Sequence, residues 1–154
     1  MSAIDVYTEE QITVAQQTIF QIADVMIYPV DERWQSEDGN IRSEIHFDNR
    51  WKGIYLLECT RPMALSLASL MLSQQESGLT EADIADVMGE ILNTLAGNLK
   101  CLLPSDTDLT IPCTLTLPEE RERVLDRVTR CTEQSEIVFA SDLGRMKLSL
   151  WHCE

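Results

Sequence analysis

Glu90 and Asn93 are the residues of this sequence whose types and spacing best suit chemistry. On a helix, residues three apart become surface neighbours, so this carboxylate and carboxamide would stand side by side in solvent. A carboxamide can both accept from and donate to a water without itself titrating, which suits it to orienting a nucleophile. Spacing alone does not separate such a site from an ordinary solvated face, because exposed carboxylates and amides are common. His46 and His152, the latter beside Cys153, are the other groups that suggest a general base or a metal. They fall on strand-like segments far apart in sequence, with no ligand spacing, so no metal site is expected. No phosphate loop, dinucleotide fingerprint or nucleophile elbow is present.

The element that must present the pair is Leu79–Pro104, LTEADIADVMGEILNTLAGNLKCLLP. Thr80 is placed to N-cap a helix, with Asp83 as the acid of a capping box, Glu81 favouring the positive end of the dipole and Pro104 as the stop. At about 100° per residue, Ile84, Val87, Met88, Ile91, Leu92, Leu95, Leu99 and Leu102 form one broad buried stripe. Opposite them, Asp83, Asp86, Glu90, Asn93 and Gly97 fall roughly in line. Gly89, Ala96 and Gly97 leave almost nothing to crowd Asn93, so another macromolecule could approach the backbone there. Each helical glycine costs about 0.5–1 kcal/mol relative to alanine, so both glycines need a reason: a bare docking face, or close packing within the molecule.

Around this helix the chain alternates periods. Thr8 to about Ile27 carries Ile12, Ala15, Ile19, Ile22, Ala23 and Met26 at helical spacing, with Thr8–Gln11 as a capping box and Pro29 as its end. After the turn Asp38-Gly39-Asn40, the residues Arg42, Glu44, His46 and Asp48 alternate with Ile41, Ile45 and Phe47, the pattern of a half-exposed strand. A tight connection at Asn49-Arg50 leads to a more buried strand over Trp51–Thr60, completing an antiparallel hairpin. Arg61-Pro62 opens a shorter helix with Leu65, Leu67, Ala68, Leu70, Met71 and Leu72, running up to Gly78. Strands are expected over Leu109–Leu117, Ile137–Ala140 and Met146–His152, with Leu143-Gly144 turning between the last two. Pro118–Thr132 permits either a short amphipathic helix or a surface loop. Trp34, Trp51 and Trp151 are expected to pack on the sheet or at a dimer contact, and Asn98 to bond nearby backbone. The expected fold is α+β, a two-layer arrangement of a largely antiparallel sheet covered on one side by two long helices plus a shorter one.

The 154 residues fit a single domain, 1–154, with an ordinary globular composition of 44% hydrophobic and 25% charged residues. Twenty-six acids against twelve Lys and Arg give a net charge of −14, which argues against nucleic acid or an anionic membrane as the partner. Five cysteines, without a Cys-x-x-Cys, read as reduced core thiols of a cytoplasmic protein. Neither a secretory signal nor a membrane span is evident.

The run Asp86-Val-Met-Gly-Glu90-Ile-Leu-Asn93-Thr-Leu-Ala-Gly97-Asn98 resembles the helix of the CheX branch of the CheC/CheX/FliY phosphatases, with its Glu-x-x-Asn and following Gly-Asn. Leu109-Thr-Ile-Pro112 is similar to the apolar strand ending in Pro that follows the family helix. The first helix does not repeat the Glu-x-x-Asn, as in the one-site CheX type rather than the duplicated CheC type. Two features depart from the family pattern: no glycine follows soon after Pro112, and the route through 118–132 is longer.

The resemblance implies a phosphatase acting on the phosphoaspartate of a CheY-type receiver, and homodimers formed through the sheet. It assigns Asn93 the positioning of the attacking water and Glu90 a pairing with the receiver's lysine, with Asp86, Gly89 and Gly97 on the docking surface. It implies no cofactor of the chain's own, the Mg²⁺ being supplied by the receiver. Two other readings stand beside it: a non-catalytic receiver-binding or signalling-assembly module of the same fold, and an unrelated acidic interaction domain.

Overall fold

In the computed structural model, which describes residues 3–115 and 127–153, seven strands form one sheet in which every pairing is antiparallel. Its centre is the hairpin of β2 (Ile41–Asn49) and β3 (Gly53–Cys59), closed where Asn49 takes the left-handed conformation at φ 74°. The strand β7 (Gly144–Cys153) pairs with β3, and β6 (Cys131–Ser141) pairs with β7 through the expected Leu143-Gly144 turn. On the far side of β6 lies β1 (Tyr28–Val30), while β4 (Thr107–Leu109) and β5 (Cys113–Leu115) share the outer edge of β2.

Three helices cover one face: α1 (Ala3–Ala23), α2 (Arg61–Leu72) and α3 (Glu81–Leu99). Strand residues alternate between faces, so Ile45, Phe47, Tyr55, Leu57, Phe139 and Leu148 point one way and join the helices' buried residues in one continuous core. The α+β expectation holds. The predicted stripe of α3 is buried from Ile84 to Leu99, and Leu102 follows half-buried in a short 3₁₀ turn, Lys100–Leu102.

Several expectations are corrected. The helix α1 begins at Ala3, so Thr8 lies inside it rather than capping it, and it ends at Ala23, where Asp24 turns left-handed at φ 56°. Pro29 is therefore part of β1, and Met26 is 57% exposed instead of joining the apolar face. In α2, which stops at Leu72 as Ser73 turns left-handed, the buried face is Met63, Ala64, Leu67 and Ala68, leaving Leu70 exposed. The strand expected over 109–117 is broken between β4 and β5, while β6 starts six residues before Ile137. Most of Pro118–Thr132 lies outside the described residues.

The cysteines also differ from expectation. Cys131 and Cys153 face each other across the β6–β7 ladder with Cα atoms 4.4 Å apart and form a disulfide. Cys101 and Cys113 are exposed, and only Cys59 is a buried thiol. Burial, and then the charge of Glu58, pushes the Cys59 thiol far up, so it is not a nucleophile.

The strand β2 is not half-exposed. On the sheet's other face Glu44 and Glu58 are 5% and 4% exposed. Glu44 is engaged by Arg127 and by His46 at 3.3 Å, and Glu58 by the segment Trp34–Asn40 and by Arg42. A small second cluster of Ile54, Val128, Leu56 and Trp151 lies on this face as well.

Candidate functional site

The register of the exposed face of α3 is set at its first turn. Thr80 Oγ1 accepts from the Asp83 N–H at 3.1 Å and Asp83 Oδ2 accepts from the Thr80 N–H at 2.9 Å, the predicted capping box. Arg61 at the start of α2 pairs with Glu81 and ties the two helix beginnings together. Near the other end, Asn98 Nδ2 donates to Thr18 Oγ1 of α1 at 2.8 Å, so Asn98 is structural but bonds a side chain rather than nearby backbone. With its apolar stripe buried and both ends held, α3 is a rigid platform.

On that platform Asp86, Glu90, Asn93 and Gly97 are all exposed, as the spacing predicts. Among the described residues, neither the Glu90 carboxylate nor the Asn93 carboxamide has a side-chain partner. Both are available to a ligand or another protein.

The surroundings of Asn93 are less bare than the sequence suggests. Ala96 is fully buried, and Gly89 is buried beneath the segment that enters β5. A Cβ at Gly89 would lie 3.5 Å from Thr114 Oγ1 and 3.8 Å from Pro112 Cγ. Thr114 Oγ1 donates to the Ala85 carbonyl at 2.9 Å and takes a hydrogen bond from Ser43 Oγ at 2.8 Å, locking β5 to α3. Gly89 thus serves close packing, and Gly97 alone is open, with nothing within 4 Å of where a Cβ would stand. Together Ala85, Asp86, Gly89, Glu90, Pro112 and Thr114 line a shallow groove of about 220 Å³ beside Glu90. Sequence reasoning missed the Pro112–Thr114 wall, whose only signal was the apolar run ending in Pro112.

The two glycines therefore make different predictions. Gly97→Ala gains the helix propensity of alanine without a clash and is expected to stabilise the protein by about 0.5–1 kcal/mol, raising Tm by about 1–4 °C. Gly89→Ala places its methyl at ordinary contact distance from Thr114 and Pro112, so it adds buried contact to the same gain in helix propensity and is expected to stabilise at least as much. Thermal unfolding of the two variants checks the order.

The other candidates do not converge. His46 bonds Glu44, and His152 stacks on Trp51 with ring centroids 5.1 Å apart. Among the described residues no group of three or more His, Cys, Asp or Glu is placed to hold a metal ion. Trp34 and Trp151 pack on the sheet face opposite the helices. No helix among the described residues is long and apolar enough to cross a membrane.

The family described as chemotaxis phosphatase CheX matches residues 41–139, which span the hairpin, α2, α3 and most of β6. No curated protein matches the chain by sequence. Among solved structures it is similar to a chemotaxis protein CheX from Vibrio vulnificus, with 18% identity, 99% of each chain covered and a TM-score of 0.72. It is equally similar, at TM-score 0.72 with 15% identity over 96% of this chain and 98% of the other, to a chain of the CheX–CheY–BeF3–Mg²⁺ complex from Borrelia burgdorferi. A chain of the FliM–SpeE complex from H. pylori shares the fold at TM-score 0.63, with 11% identity over 98% of this chain and 86% of the other.

Proposed function

Because this chain belongs to the CheX family of chemotaxis phosphatases, we propose that it hydrolyses the phosphoaspartate of a CheY-type receiver, with Asn93 positioning the attacking water and Glu90 pairing with the receiver's lysine. The observation that carries this reading is the exposed, unpartnered Glu90–Asn93 pair on a helix held at both ends.

A phosphoaspartate is an acyl phosphate and already activated. The water oxygen forms a bond to phosphorus as the bond from phosphorus to the aspartyl oxygen breaks, giving the aspartate carboxylate and inorganic phosphate, which takes both of the water's protons and equilibrates them with bulk water. The Mg²⁺ and the lysine belong to the receiver, so this chain needs only to hold the water in line. The Asn93 carboxamide accepts from the water through its oxygen or donates through its nitrogen, fixing the direction of attack. The ion pair from Glu90, one turn back, sets the docking register, and the exposed Asp86 and Gly97 complete the contact surface, from which the covering segment that enters β5 removes Gly89. Orienting an otherwise free water accounts for about 3 kcal/mol, roughly a hundredfold in rate. The chain works in the cytoplasm in this reading, as a homodimer joined through its sheet.

The test follows phosphate loss from a phosphorylated CheY-type receiver in the presence of Mg²⁺, alone and with catalytic amounts of this protein. Roughly hundredfold acceleration with multiple turnovers is expected. Binding without acceleration would replace the phosphatase by a docking module of the same fold. Glu90→Gln is expected to raise the KM for the phosphorylated receiver about five- to tenfold, with a loss that shrinks as salt is added, because an ion pair is screened and an amide is not. Initial rates at two ionic strengths check this.

A further inference from the structure

Ile111 is 89% exposed, more than any other large apolar side chain among the described residues. It sits between β4 and β5 on a connection whose neighbours are pinned. The Thr110 N–H donates to the His46 carbonyl and Thr110 Oγ1 accepts from the His46 N–H, both at 3.0 Å. On the other side Pro112 rests over Gly89, and Thr114 is bonded to Ala85. A following proline also confines Ile111 to extended conformations. An exposed branched apolar residue on a fixed backbone is poorly used in an isolated molecule, whereas a partner can bury it with little ordering cost.

Its position selects the partner. Pro112, the next residue, forms a wall of the groove that Asp86 and Glu90 also line. Ile111 thus borders the acidic face that carries Asn93, while Met26 and Tyr28 lie beyond the end of α1 and Leu70 lies on α2. We propose that Ile111 is the apolar anchor of the receiver-docking surface, and that it fits a receiver face on which a lysine adjoins an apolar depression. This rests on the phosphatase reading and adds to it a residue that sets affinity for the substrate without touching the reacting atoms. Glu90 contributes charge and register, and Ile111 contributes affinity that salt does not screen.

The test is steady-state turnover of the phosphorylated receiver by the full chain and its Ile111→Ser and Met26→Ser variants, with Asn93→Ala beside them. Ile111→Ser is expected to raise KM about tenfold with kcat unchanged, the loss persisting at high salt, while Met26→Ser leaves both unchanged. Because Ile111 contributes nothing to the core, thermal unfolding of Ile111→Ser should match the wild type. Wild-type turnover that Asn93→Ala abolishes, combined with an unchanged KM for Ile111→Ser, overturns the anchor and leaves the phosphatase standing. Absence of wild-type turnover overturns the phosphatase reading, and the anchor with it.

Discussion

Asn93→Ala is expected to lower kcat for receiver dephosphorylation about a hundredfold while leaving folding and receiver binding intact. The reasoning begins with what the substitution does not disturb. Asn93 is exposed and its carboxamide bonds nothing else among the described residues, so truncation orphans no buried group. Alanine also has the higher helix propensity, so thermal stability should hold or rise slightly. What disappears is the carboxamide beside Glu90, and with it the proposed means of orienting the water. Asn93→Asp is the informative companion. It keeps the shape and one acceptor but places a negative charge beside a phosphoryl group, so it too should turn over slowly. Multiple-turnover rates at saturating phosphorylated receiver separate this from a docking defect, since saturation rescues a KM effect and not a kcat effect. An Asn93→Ala protein with full turnover would sink the assignment.

The parts of the fold that the sequence disclosed are those whose signals are local. The capping box at Thr80 and Asp83, the apolar stripe of α3 and the alternation in β7 each depend on residues within one or two turns or strands. From them the exposed line Asp86, Glu90, Asn93 and Gly97 follows directly. What escaped depends on distant segments. Glycine carries no hydropathy signal, so only the passage of Pro112 and Thr114 over Gly89 reveals that this glycine is covered while Gly97 is not. The disulfide needed the β6–β7 register, which pairs Cys131 with Cys153 at the ends of strands that the sequence predicts only over Ile137–Ala140 and Met146–His152. Strand β1 was missed because three residues with a proline at their centre carry no strand pattern, and an edge strand tolerates proline where a central one does not. The alternating charges of β2 suggested water on one face because charged residues are rarely buried unless paired. Here Arg42 and Glu44 are paired, with Glu58 and Arg127, which no local pattern could have brought to them.

Arg42→Met is expected to destabilise the protein by about 3–5 kcal/mol, lowering Tm by about 10–15 °C, without changing the chemistry at Asn93. Arg42 and Glu58 are direct cross-strand partners in the β2–β3 hairpin, on the sheet face away from α3. Arg42 Nε donates to Glu58 Oε1 at 2.7 Å, while Glu58 Oε2 accepts from Trp34 Nε1 and Asn40 Nδ2, each at 2.8 Å. With side chains only 17% and 5% exposed, the pair is largely out of water. Removing the guanidinium leaves the carboxylate buried with neutral donors alone, and that uncompensated charge outweighs the gain from an apolar replacement. If so, Arg42→Met combined with Glu58→Leu should recover much of the loss, because the charge is then gone although the Trp34 and Asn40 donors are left to find water. A double-mutant cycle in urea measures the coupling. An Arg42→Met protein within 1 kcal/mol of the wild type would mean that the three neutral donors of Trp34, Ser36 and Asn40 suffice to hold Glu58 charged. In either case kcat of the folded protein should be unchanged, since the helix that carries Glu90 and Asn93 is held from the opposite face of the sheet.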